Sequence, residues 1–185
     1  MTDEAKIEKA IRLLLEGLGE DTEREGLKDT PARVARMYAE TMAGMEEDAA
    51  THLGRTFSAG SGDMVLERDI TFFSTCEHHL MPFFGKVHVA YLPNGRVVGL
   101  SKLARTVEVF AKRLQMQERM TEQIADALME HLSCRGVMVL VEAEHTCMTM
   151  RGVKKPGSST VTVAERGAFA EDAALREQFY HMLGR

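Results

Sequence analysis

Apolar residues recur at helical spacing through the first part of the chain. Ile7, Ala10, Ile11, Leu14 and Leu15 form one stripe, which predicts a helix over residues 3–18. The polar, glycine-punctuated stretch "EGLGEDTEREGLKD" reads as a connection. A second helix is predicted in "KDTPARVARMYAETMAGM", capped by Asp29 or Thr30, with Pro31 in its first turn and Val34, Met37, Tyr38 and Met42 as its buried stripe. After Gly60 the period changes. "MVLERDITFF" and "GKVHVAYLPNGRVVGL" read as strands, with "PNG" marking a hairpin turn. Leu103, Val107, Phe110 and Ala111 predict a helix over 102–113. Met120, Ile124, Leu128 and Leu132 predict another over 118–132. A long strand, "GVMVLVEAEHTCMTM", a further strand, "STVTVAE", and a short C-terminal helix complete the chain. Two strands, two helices and two strands make an α+β pattern: an antiparallel sheet with helices on one face. The expected division is an N-terminal helical arm over 1–60 and a single main domain over 61–185.

The bulk numbers narrow the functional classes. At 185 residues, 44% hydrophobic and 28% charged, the chain has the size and balance of one soluble domain. Its formal net charge of -5 argues against nucleic acid as a general partner, while leaving room for a local anion pocket. Three cysteines, Cys76, Cys134 and Cys147, do not make a disulfide framework and fit a reducing compartment. The charged start "MTDEAKIEKA" has no apolar signal segment, and no apolar run approaches the ~20 residues that span a bilayer. A cytoplasmic protein with no membrane partner is expected.

The chemistry gathers in two places. "TCEHHLMPFFG" carries Cys76, His78 and His79, and "EHTCMTMRG" carries His145 and Cys147. On a regular strand His145 and Cys147 face the same side. Thiolate and imidazole together favour zinc over magnesium or calcium. Cys76 and His79 form a C-x-x-H pair and Cys147 supplies a third ligand, which leaves one position for water, the arrangement of catalytic zinc. A Cys–His nucleophilic pair is the competing reading, weakened by the second thiol. Cys134 reads as a small buried hydrophobe, and His52, His88, His131 and His181 as structural or solvated residues.

Other polar residues suggest an anionic ligand. Ser101 is a candidate N-cap, and Lys102 and Arg105 share a helix face near it, the makings of a phosphate site; on spacing alone an ordinary helix start explains them. A carboxylate and amide at Glu118 and Gln117 can read the ring N–H and exocyclic amine of guanine, although a glutamate there also serves the helix dipole. Arg33 and Arg36 share a helix face, and "RGVKK" adds Arg151, Lys154 and Lys155.

"KDTPARVARMY", "CEHH", "GLSKLAR", "QMQERMT" and "HTCMTMRG", in that order from about Glu20 to Phe169, resemble GTP cyclohydrolase I. The resemblance implies the tunnelling (T-fold) α+β unit and a homodecamer of two pentamers with active sites at subunit interfaces. It implies hydrolysis of GTP to 7,8-dihydroneopterin triphosphate and formate, the first step of tetrahydrofolate biosynthesis. Cys76, His79 and Cys147 then match the zinc ligands, and His78 and His145 the catalytic histidines. Glu118, with Gln117, matches the guanine anchor. Ser101, Lys102, Arg105 and Arg151 match the ribose and triphosphate contacts, Ser101 also being a candidate for proton shuttling. Arg33 and Arg36 match phosphate contacts from a neighbouring subunit. The chain departs from the family's common pattern at Leu114, Met116 and Ser159, where proline, valine and lysine are frequent. Two other readings stand beside this one. A T-fold nitrile reductase would use a cysteine nucleophile and a nicotinamide cofactor. A zinc-stabilised regulatory or assembly module would need His78 or His145 as a fourth ligand.

Overall fold

The structure is a computed structural model, and it describes residues 2–60 and 62–184. In chain order the elements are α1 (Glu4–Gly17), α2 (Thr30–Thr41), a 3₁₀ turn (Ala43–Glu46), α3 (Ala49–Leu53), β1 (Thr56–Ser58), β2 (Val65–Cys76), β3 (Pro82–Leu92) and β4 (Arg96–Val98). They continue with α4 (Leu100–Ala111), β5 (Leu114–Gln115), α5 (Gln117–Leu132), β6 (Gly136–His145), α6 (Thr146–Thr149), β7 (Thr160–Gly167), α7 (Ala168–Glu171) and α8 (Ala173–Leu183). A five-stranded sheet runs in the order β5-β2-β3-β6-β7, antiparallel except where β5 joins β2. Helices α4 and α5 cover one face. This is the α+β layout that the resemblance implied for the tunnelling fold.

Strand periodicity sorts the core. Val87, Val89 and Tyr91 of β3 and Val137, Val139 and Val141 of β6 point towards Leu103, Val107, Met120, Ile124 and Leu128 of α4 and α5. The alternate residues Ala90, Leu92, Met138 and Leu140 meet Phe169 and Phe179 of α7 and α8 on the other face. Covered on both sides at this end, β6 reads as an unbroken apolar run rather than an alternation. Leu53 of α3 is fully buried in the larger cluster, and β1 pairs with β4, so residues 49–58 join the main body.

Four local expectations change. Gly95, at φ +75°, makes the anticipated turn, but β4 pairs with β1 rather than folding back on β3. Both edges of β3 are already taken, by β2 and β6, so no hairpin partner can add there. The strand after Gly136 stops at His145, and residues 146–149 form a helical turn. The ladder runs out at Phe83↔His145, because β3 begins at Pro82, which has no N–H to give. Thr146 Oγ1 instead donates to the Pro82 carbonyl at 2.6 Å. In α2 the inward face belongs to Pro31, Ala35 and the following Met42, while Met37 is 47% exposed. The N-cap of α4 is Gly99, with Ser101 exposed in the first turn and making no capping bond.

Candidate active site and metal centre

The segment from Glu77 to Met81 links β2 to β3 in a tight loop. Cys76 N–H donates to Met81 O at 2.8 Å, and Leu80 N–H to Cys76 O at 2.9 Å. Leu80 takes a left-handed conformation, φ +54°, to complete it. A polar clamp fixes the loop to the start of α5. Glu77 N–H donates to Gln115 O at 3.0 Å, and the Glu77 carboxylate is ion-paired with Arg119. Arg119 also donates to Gln115 Oε1 at 3.1 Å, and Gln115 in turn donates to Phe110 O and Gln123 Oε1. None of these clamp residues was singled out from the sequence. The four-residue spacing of Arg119 and Gln123, neighbours on the surface of α5, was the available signal, while Gln115 joins them from β5.

The loop and α6 converge on a group of soft donors. Ligand atoms of Cys76, His79 and Cys147 lie within 4.8 Å of one another, and Cys76 Sγ is 3.8 Å from His79 Nδ1. A tetrahedral zinc with Zn–S near 2.3 Å and Zn–N near 2.1 Å separates its ligands by about 3.6–3.8 Å, so this set fits the metal with little rearrangement. Burial and the neighbouring Cys76 push the Cys147 thiol up, partly offset by Arg151. Cys76 is buried, Cys147 half-buried and His79 exposed. The strand geometry expected for His145 and Cys147 does not hold. His145 is the last strand residue, and Cys147 reaches Cys76 from the helical turn.

A cavity of about 260 Å³ opens beside the group, and His78, Gln117, Glu118, His145 and Thr160 line it with the three donors. His78 Nδ1 lies 4.0 Å from Cys76 Sγ. The His145 ring stacks on Phe83 with centroids 4.6 Å apart and planes 4° apart. Burial lowers the His145 pKa, partly offset by the Glu118 carboxylate. Gln117 is 1% exposed and its side chain points inward, to His145 and to β6 and β7, whereas Glu118 is exposed in the first turn of α5. The expected pairing of the two as one guanine reader therefore gives way: Glu118 alone offers its side chain outward. Larger hollows, of about 490 and 620 Å³, lie on the open face of the sheet and beside α8, without paired thiols.

The expected cations divide. Arg151 is close enough to Cys147 to act on its thiol electrostatically. Ser101, Lys102 and Arg105 do not line the cavity. Val98 N–H bonds the Tyr91 hydroxyl, so α4 starts at the Tyr91 end of β3, while the donors sit at the Pro82 end. From there α4 runs back towards the donors, and its Phe110 carbonyl accepts from Gln115, the ladder partner of Cys76. Arg33 and Arg36 are exposed on α2, Arg33 paired with Asp29 at 3.1 Å.

The family model for GTP cyclohydrolase I matches residues 7–184. A GTP cyclohydrolase 1 from Clostridium kluyveri is 62% identical over 181 residues, 98% of each chain. One from Clostridium perfringens is 58% identical over 183 residues, 99% of each. One from Carboxydothermus hydrogenoformans is 60% identical over 185 residues, covering 100% of this chain and 96% of the relative. The likeness spans the sheet, its helices and every element that meets at the cavity, and the chain belongs to the GTP cyclohydrolase I family.

Proposed function

We propose that the protein is a zinc-dependent GTP cyclohydrolase I: it hydrolyses GTP at guanine C8, releasing formate and yielding 7,8-dihydroneopterin triphosphate. The observation that carries the zinc reading is the Cys76–His79–Cys147 group at the wall of a cavity that also holds two histidines and a carboxylate. Bound there by three protein ligands, zinc supplies Lewis acidity, the means of making water nucleophilic near neutral pH. Glu118 accepts the N1–H and N2–H of guanine, and adenine leaves that carboxylate unpaired, which gives strong discrimination. Protonation at N7 makes C8 electrophilic, and His78 and His145 carry the proton transfers. Arg151, beside Cys147, takes phosphate oxygens.

Ser101, Lys102 and Arg105 do not line the cavity and sit towards the opposite end of α4 from Phe110, which is bonded beside it, so a second copy is proposed to bring them to this reaction. The sheet favours such an assembly. Among the described residues the outer edge of β7 pairs with no strand, and neither does that of β2 before Thr75, where β5 joins. Setting β7 of one copy against β2 of the next continues the antiparallel alternation, and a heterologous contact of this kind closes into a ring. A decamer of two such rings, with Arg33 and Arg36 contributed by a neighbour, is the proposed assembly. The proposed location is the cytoplasm; among the described residues no helix is long and apolar enough to cross a membrane.

A non-catalytic zinc module needs a fourth protein ligand. The His145 Nε2 is bonded to Gln117, and among the described residues the donor group numbers three, which speaks against that reading. The deciding experiment is formate release from GTP by the purified protein, with and without chelator. Formate that disappears with chelator and returns with zinc supports the proposal. A folded, zinc-loaded protein that releases none defeats it.

A further inference from the structure

Gln117 sits at the first position of α5, on a helix face that turns into the protein. Its side-chain amide reaches three oxygens: Val141 O at 3.1 Å, Thr160 O at 3.0 Å and Thr162 Oγ1 at 3.1 Å. Two of these are carbonyls, which only accept, so the NH₂ must face them and Oε1 must face the other way. Oε1 is 2.8 Å from His145 Nε2. An amide oxygen only accepts, so His145 carries its proton on Nε2.

The threonines make this orientation self-consistent. Thr121 Oγ1 donates to Gln117 O at 2.7 Å and lies 2.7 Å from Thr162 Oγ1. With the Thr121 proton spent on the backbone, Thr162 donates to Thr121 and accepts a share of one of the two Gln117 amide protons. Every donor in the network then has one direction, which ends at His145. Phe83, stacked flat on the ring, closes the remaining freedom. Among the described residues the ring's hydrogen bond is made through Nε2, and His145 lines the cavity.

We propose that Gln117 is a positioning residue: it holds His145 in the Nε2–H form and leaves Nδ1 as the ring atom that exchanges protons with the substrate. The inference rests on the catalytic role given to His145 above. It moves Gln117 out of the guanine pocket and makes Thr162, which touches no substrate in this scheme, its support. A histidine that proceeds through its other nitrogen would have to break the 2.8 Å bond and leave a buried amide oxygen unpaired, at a cost.

The test uses the zinc-loaded protein with Gln117→Leu and, as a milder change, Thr162→Val. Formate release gives kcat and KM, and zinc content is measured on each sample. Gln117→Leu is expected to lower kcat about 10–100-fold, the range for groups that orient a functional histidine, with KM within about twofold and zinc retained. Thr162→Val is expected to lower kcat in the same direction by a smaller factor, again with KM held. A rise in KM at unchanged kcat in either variant makes Gln117 a substrate contact and overturns the inference, as does unchanged kcat in both. If Gln117→Leu does not fold, Thr162→Val decides on the same criteria. Wild-type protein run alongside separates the two levels. No formate from wild type defeats the proposed function, whereas normal wild-type turnover with kcat intact in the variants defeats only the role of Gln117.

Discussion

Gly85 lies in the middle of the sheet, opposite Ala143 and two residues from Phe83, the residue stacked on His145. A Cβ added there would stand 1.9 Å from Glu142 O, 2.7 Å from Ala143 Cα and 2.9 Å from Glu142 C. Carbon–oxygen contacts across a sheet run at about 3.3 Å or more. Gly85→Ala therefore forces β3 and β6 apart by roughly 1.4 Å at this point, and all three obstacles are backbone, so no side chain can swing away. Moving the strands that far takes neighbouring N–H···O bonds beyond bonding distance. Two lost ladder bonds cost about 2 kcal/mol net, and overpacking adds about 1–3 kcal/mol. The expected destabilisation is about 3–5 kcal/mol, a large part of the ~5–15 kcal/mol that holds a typical domain together.

The same displacement reaches the site. Phe83 and His145 are the next pair on that face of the ladder, and a misplacement of about 1 Å at a catalytic group costs on the order of a hundredfold in rate. Urea unfolding of the zinc-loaded variant followed by far-ultraviolet circular dichroism reads the first effect, and formate release reads the second. Gly17→Ala is the control. Its Cβ meets nothing within 4 Å, it closes α1, and it is expected to be neutral or stabilising by up to ~1 kcal/mol. A Gly85→Ala protein within 1 kcal/mol of wild type, with kcat unchanged, would refute the reasoning.

Cys147→Ser is expected to lose zinc and turnover while remaining folded, because Cys147 is only half-buried; metal content and circular dichroism on the same sample check this. Glu118→Gln is expected to weaken GTP by about 10–100-fold and inorganic triphosphate hardly at all, measured by calorimetry; equal losses for both remove Glu118 from the guanine pocket. If Lys102 acts from a second copy, Lys102→Ala and Cys147→Ser damage different halves of one shared site. Each is expected to be inactive alone, and subunits unfolded together and reassembled in equal amounts should regain about a quarter of wild-type activity, since half of the copies bring each intact half. Mixed assemblies with no regain place both residues in one chain's site.

What the sequence disclosed followed from how local each signal is. The stripe Met120, Ile124, Leu128 and Leu132 fixes α5 by itself, and all four are buried where that period puts them. The candidate metal group was legible because cysteine and histidine have few other reasons to cluster, and Cys76, His79 and Cys147 do meet. The pairing of β4 was hidden because it depends on both edges of β3 being occupied, a fact of topology that no stretch of sequence carries. The end of β6 was hidden for a related reason. His145 and Cys147 belong to one run of residues, but the strand stops where its partner starts with a proline, and the turn that follows carries Cys147 to Cys76 while His145 stays on the strand. Gln117 and Glu118 mislead differently, and here elementary geometry was enough. Successive residues on a helix diverge by about 100°, so neighbours in sequence at a helix start seldom share a task. One of the pair was bound to face the sheet and the other the cavity, and the burial of residues 120, 121, 124 and 128 places position 117 with the inward set and leaves 118 outside it. The glutamine then had to satisfy its amide inside the protein, and the ends of β6 and β7 supply the oxygens for it. The orientation of His145 follows from that requirement, so this wall of the cavity is tied to the same inward stripe that builds the core.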